Sequence, residues 1–175
     1  MKYHTQNVAN GLGTMLGLGI WFLVSVGPLQ TQARQLKVSE AELANDASTI
    51  VIGKVEASTS HWSSDGSVIL TDHRIILSEK LKGGGTDTAI VAQTLGGEVG
   101  DVGLHVSDQA AMSVGDEVIL FLTSDASGRY SVVAGEQGAR HVINGMIKET
   151  GESLSAARSR IAEVVKSATE RSADR

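Results

Sequence analysis

The chain has 175 residues, no cysteine, and 20 acidic against 15 basic side chains, for a net charge of −5. The missing cysteine excludes disulfides, thiolate metal sites and a cysteine nucleophile. The acidic balance, with no basic stripe, argues against nucleic acid and anionic membrane surfaces as partners.

The first segment has the layout of an export signal. Lys2 and His4 sit in a short polar start, the apolar run Leu16–Val26 follows, Pro28 breaks it, and Thr31-Gln32-Ala33 supplies small residues for cleavage. Cleavage after Ala33 leaves residues 34–175 as the mature chain, secreted or periplasmic. The alternative is an uncleaved anchor over residues 13–28. Gly13, Gly17, Gly19 and Ser25 interrupt that segment, and its run falls short of the about 20 residues a spanning helix needs. An exported protein without disulfides favours a bacterial envelope or extracellular setting.

Ser39-Glu40-Ala41-Glu42 reads as a capping box and predicts a short helix over Glu40–Asp46. Ile50–Val55 is β-branched and apolar, a core strand. Trp62-Ser63-Ser64-Asp65-Gly66 is turn chemistry. A long strand is predicted from Ser67 to Leu77, with Ile69, Thr71, His73, Ile75 and Leu77 on one face and Leu70, Asp72, Arg74 and Ile76 on the other. Lys82–Gly85 is a flexible turn, and Thr88–Leu95 the next strand. Gly96–Gly103 reads as a glycine-rich connecting loop, with brief pairing over Leu104–Val106. Val118–Leu122 is the strongest apolar run after the leader and the predicted central strand. Asp125–Gly128 is a turn, Tyr130–Ala134 its partner strand, and Arg140–Ile143 a last short strand. Leu154, Ala157, Ile161, Val164, Val165 and Ala168 then follow helical spacing, predicting a helix over Leu154–Thr169.

The expected fold is mainly β (α+β): a small antiparallel OB-like barrel or sandwich of five to six strands, with a short leading helix and a C-terminal helix. The expected organisation is a signal peptide over 1–33, a barrel domain over 34–150, and a C-terminal helix with a frayed tail over 151–175.

Ser48–Val55, Leu81-Lys82-Gly83, Leu95-Gly96-Gly97, Val114–Leu122 and Gly128-Arg129-Tyr130 stand in an order that resembles a group of exported bacterial domains. Some of these are found beside matrixin-type metalloproteases. Their layout is similar to the OB barrel of netrin-like modules and of tissue inhibitors of metalloproteinases. The resemblance covers about Ser39 to Ile143 and implies an exported, protein-binding role. It does not carry over the inhibitors' chemistry, in which an N-terminal cysteine grips the protease zinc, because this chain has no cysteine.

The residues offer few chemical signatures. Gly97, Gly100 and Gly103, with Glu98 and Asp101, form a glycine-rich stretch, but a phosphate cradle needs a following helix and strand signals follow here. His61, His73, His105 and His141 lie in four segments without His-x-x-x-His spacing. Of these, His73, His105 and His141 are weak zinc candidates, since distant histidines can converge in a barrel. Turn aspartates such as Asp65, Asp116 and Asp125 lack EF-hand spacing. No Gly-x-Ser-x-Gly elbow is present. Outside the leader the aromatic residues are Trp62, Phe121 and Tyr130, too few for a base- or sugar-stacking surface. Trp62, beside a polar turn, is either packed at a rim or an exposed anchor for a protein partner.

The sequence therefore predicts a non-catalytic exported domain that binds another exported protein, such as a secreted or envelope protease, with no cofactor and no resident metal. The expected binding residues are Trp62, Gly97, Glu98, Gly100, Asp101 and Gly103. The alternatives are a hydrolase or zinc enzyme with dispersed His and Asp residues, and a structural subunit of an envelope assembly.

Overall fold

The structure is a computed structural model that describes residues 37–173, with side chains through residue 170. The expected export signal, the 13–28 segment and the cleavage point after Ala33 lie outside the described residues.

Helix α1 spans Glu40–Asp46, and its start is set by the predicted capping box. The Glu42 N–H donates to Ser39 Oγ at 3.2 Å, and the Glu42 carboxylate accepts the Ser39 N–H at 2.8 Å. The same Ser39 hydroxyl and amide hold the Glu42 carboxyl below its usual pKa. Leu43 and Ala44 are the buried face of this helix.

Strands β1 (Thr49–Trp62), β2 (Ile69–Lys82), β3 (Ala89–Leu95), β6 (Glu117–Ser124) and β7 (Tyr130–Val132) close a barrel. Hydrogen bonding runs β1-β2-β3-β7-β6 and returns through β1–β6, so the ring has no gap in its order. Every pair is antiparallel except β3–β7, which is parallel. This closed five-strand barrel is compatible with an OB-like fold. Strands β8 (Ala139–Ile143) and β9 (Met146–Ile147) continue the sheet from β6. Strands β4 (Gly97–Val99) and β5 (Val102–Leu104) form a separate two-stranded sheet.

The apolar runs of β1 and β6 are continuous because both of their faces are buried. Val51, Val55, Val118, Leu120 and Leu122 point into the barrel with Ile75, Ile90 and Ala92. Ile50, Ile52, Ile119 and Phe121 point outward into a second core, where α1 and helix α2 (Leu154–Ala173) cover them. α2 contributes Ala157 and Ile161, each 1% exposed, with Leu154, Val164 and Val165 packed against the same cluster. Arg160 pairs with Glu40 of α1 and with Glu152, and Arg158 reaches Glu79 of β2 at 2.7 Å. Among the described residues no helix is long and apolar enough to cross a membrane.

Several boundaries differ from expectation. β1 does not stop at Val55 but runs to Trp62, carried past the apolar core by a bulge. Trp62 therefore ends a strand rather than beginning a turn. β2 starts at Ile69 and extends to Lys82, while its predicted alternation holds: Ile69, Thr71, His73 and Ile75 are buried. The Gly96–Gly103 stretch is a hairpin, not an irregular connection. Glu98 faces Gly103 and Val99 faces Val102 in register, and the turn is made at Gly100, where φ is +62°. The two-residue β9 and a 3-10 turn over Gly135–Gly138 are too short to leave a periodic signal.

Candidate functional site

The residues singled out in the sequence gather mainly at one end of the barrel, and the bulge in β1 is the reason. Val55 pairs with Ile75 and Ala57 with Arg74, so Glu56 has no partner of its own in β2. The extra residue flips the phase of the strand. Beyond it Ser58, Ser60 and Trp62 stand opposite His73, Thr71 and Ile69, on the side of β2 that faces inward.

These residues form a polar layer above the apolar interior. Ser58 Oγ lies 2.8 Å from His73 Nδ1, and His73 Nε2 lies 3.0 Å from Thr94 Oγ1. The Thr71 hydroxyl donates to the Gly96 carbonyl at 2.7 Å, so in its 2.8 Å contact with Ser60 the Ser60 hydroxyl is the donor. His73 is only 4% exposed. Burial is the main cause that holds its pKa below the usual histidine value, against a smaller opposing pull from Asp72. Hydroxyls can serve a neutral imidazole at both nitrogens, because each either donates or accepts.

The β4–β5 hairpin is laid over this layer. The Gly96 N–H donates to the Ile69 carbonyl at 2.8 Å. Gly97 then crosses so close to β1 and β2 that a β-carbon there would meet Thr71 Oγ1 at 2.3 Å and Ser60 Oγ at 2.4 Å. Its φ of +132° is a second reason for glycine. The structure thus brings Gly97 beside Ser60, two residues from Trp62, and places Glu98, Gly100, Asp101 and Gly103 on the same hairpin. Trp62 is 43% exposed and Val102 of the hairpin 50%.

The outer side of the same strands carries a different chain of contacts. His61 Nδ1 donates to the Trp62 carbonyl at 2.9 Å, and its Nε2 lies 3.2 Å from Asp72, which also accepts from Gln93 at 2.7 Å. The Trp62 carbonyl is the largest cause raising the His61 pKa. Two turns are braced by serines, one following β1 and one following β6. In the first, Asp65 accepts from the Ser63 and Ser67 hydroxyls at 2.6 and 2.8 Å, which lowers its pKa to about 2. In the second, Asp125 accepts from Ser127 and from the Arg129 N–H. The charge of Arg129 opposes the raised His61 pKa with a smaller lowering effect.

The zinc candidates do not meet. His73 lies under the hairpin, His105 is exposed in the connection after β5, and His141 is on β8. Among the described residues no three His, Asp or Glu side chains are grouped to hold a metal ion. His141 is instead a tie: its Nδ1 lies 2.9 Å from Glu149 and its Nε2 2.8 Å from the Ala111 carbonyl. It lines a groove of about 420 Å³ with Gln109, Arg140, Lys148 and Glu149. No spacing along the chain marks Glu149 as its partner, since the two meet only because β9 folds back on β8. The serine layer did leave a trace: Ser58, Ser60, Thr71 and His73 all alternate at the strand period.

No family model matches the chain, and no curated protein matches it significantly.

Proposed function

We propose that the chain is an exported, non-catalytic domain that binds another exported protein at the barrel end built from Trp62 and the β4–β5 hairpin. The observation that carries this reading is the half-exposed indole of Trp62 beside a hairpin whose backbone is seated on Ser60 and Thr71 by Gly97. A rigid aromatic on a preorganised rim is the type of anchor that dominates protein interfaces. Val102, Glu98 and Asp101 supply apolar and acidic contacts around it. The resemblance to netrin-like and metalloproteinase-inhibitor barrels supports the OB-like layout and makes a secreted or envelope protease the partner class. Protease zinc would have to be left alone or met by other ligands, because the chain holds no cysteine.

Capture from a secreted extract with the full chain, repeated with Trp62→Ala, tests this. One specific protein retained by the wild type and lost by the variant is the expected result. Hydrolysis of a model ester, glycan or peptide by purified wild type, with nothing captured, overturns it.

A hydrolase reading rests on one contact, Ser58 Oγ to His73 Nδ1 at 2.8 Å, which is nucleophile-to-base geometry. A fluorophosphonate probe decides it: labelling of Ser58 that disappears in His73→Gln supports the reading, and no labelling rejects it.

A further inference from the structure

The second half of β1 is an open edge. β1 pairs with β6 only from Thr49 to Lys54, and the Val55 main chain makes the last contacts on that side, with Asp116 and Gly115. From Ala57 to Trp62 the strand pairs with β2 alone. The Ser63 N–H donates to the Val68 carbonyl across the hairpin, so residues 57, 59 and 61 turn their main chain toward β2. Ser58, Ser60 and Trp62 turn theirs the other way. Among the described residues no backbone group pairs with this edge, although the Trp62 carbonyl accepts from the His61 ring.

Natural sheets guard such edges with lysine, proline or inward charges. The stretch Ala57-Ser58-Thr59-Ser60-His61-Trp62 has none of these. It is extended, uncharged apart from whatever proton His61 carries, and made of small side chains that let another backbone approach. The bulge at Glu56 shapes the strand before this stretch, not along it.

The surroundings select the occupant. At Gly97 the chain touches Thr71 of β2 and Ser60 of β1, and β4 lies against both strands, so Glu98 follows within one residue of the Ser60 contact and Asp101 sits at the turn of the same hairpin. Asp65 lies in the turn three residues beyond the strand's end at Trp62, with its carboxyl held ionised. None of these three carboxylates makes an ion pair among the described residues, whereas Glu56 is matched by Arg74 and Asp72 by His61. A second copy of the chain pairing edge to edge would set these carboxylates against their own equivalents. A basic strand would instead meet them with the opposite sign, and a Lys or Arg on the Trp62 side would lie over the indole face.

We infer that the open edge of β1 adds an extended, proline-poor segment of a partner protein as a further strand, with basic residues at alternate positions facing Trp62, Glu98 and Asp101. This deepens the reading above. Main-chain bonds to Ser58, Ser60 and Trp62 give affinity, and the alternating side chains give selectivity.

The test uses the full chain and a short synthetic peptide of alternating Val and Lys, a matched Val–Glu peptide, and a Val–Lys peptide N-methylated on alternate backbone amides. The Val–Lys peptide should bind in a salt-dependent way and slow amide exchange at Ser58, Ser60 and Trp62. N-methylation should abolish this, and Glu98→Lys with Asp101→Lys should weaken binding about tenfold. Ser60→Pro removes a donor that faces away from β2, so the barrel should survive while binding is lost. Because the N-methylated peptide leaves the protein untouched, the result stands even if that variant misfolds. Equal binding of the Val–Glu peptide, or binding without protection of those three amides, overturns the inference. So does protection that rises with protein concentration alone, which assigns the edge to a second copy. Capture of a partner that persists in folded Ser60→Pro but fails in Trp62→Ala leaves the protein-binding reading standing without the added strand.

Discussion

Gly97 passes over Ser60 at a distance that leaves no room for a side chain: a β-carbon would lie 2.4 Å from the serine Oγ. The contact seats the β4–β5 hairpin on the polar layer and is the reason the glycine-rich stretch has a fixed shape. Gly97→Ala should therefore cost about 2–4 kcal/mol, combining overpacking with a φ that side chains rarely adopt. Gly100→Ala, at φ +62° in open space, should cost about 1 kcal/mol. Urea denaturation of the two variants checks the order. Equal losses would mean that the hairpin does not rest on Ser60.

His73 makes the barrel end sensitive to pH. Its folded pKa lies below the usual histidine value through burial, so the unfolded chain binds the proton more readily than the native one. The stability it contributes is present above the unfolded value of about 6.5 and is lost as pH falls below it. His61 has its pKa raised and acts with the opposite sign, but from an exposed site. Denaturation midpoints measured from pH 7.5 down to pH 5 should fall for the wild type. The decline should flatten in His73→Gln. An unchanged slope in that variant would show that His73 is hydrated in the native state.

The parts of the fold legible in the sequence are those where burial imposes a period. β6 reads as a central strand because Val118, Leu120 and Leu122 fill the barrel while Ile119 and Phe121 meet the helices. β2 was legible by its alternation, and α1 by the reciprocal bonds of Ser39 and Glu42. The length of β1 was not, because beyond Glu56 its residues are small and polar and the bulge breaks the phase. Nor was the hairpin at Gly97, since glycine marks freedom of φ without saying whether a neighbour fixes it. The Ser58–His73–Thr94 contacts needed three strands in register, and spacing along one chain does not supply that.

His141 ties β8 to the connection before β6. Its two ring nitrogens face the Glu149 carboxylate at 2.9 Å and the Ala111 carbonyl at 2.8 Å. For Glu149, burial raises the carboxyl pKa, but the bonds from the His141 ring and amide outweigh it and leave the pKa lowered. His141→Ala should cost about 1 kcal/mol, a modest figure because both groups are partly exposed. Amide exchange should speed up around Ala111–Ser113 while the amides of β1 and β6 stay protected. Uniform acceleration across the barrel would show that the tie carries global stability instead.

Helix α2 offers two kinds of attachment, and single substitutions separate them. Ile161 is 1% exposed in the outer core with Ile52, Ile119 and Phe121. Ile161→Ala removes buried volume and should cost about 3 kcal/mol. Arg160 bridges Glu40 and Glu152, which raises its pKa further still, yet its side chain is 43% exposed. Solvent screens the guanidinium, but Glu40 is only 18% exposed and its Oε1 is buried, so Arg160→Leu should cost about 1–2 kcal/mol. A double-mutant cycle with Glu40→Gln should recover most of that loss as coupling energy. If Arg160→Leu proves as costly as Ile161→Ala, the helix is held by its charges. The apolar stripe that announces it in the sequence would then be the lesser part of its attachment.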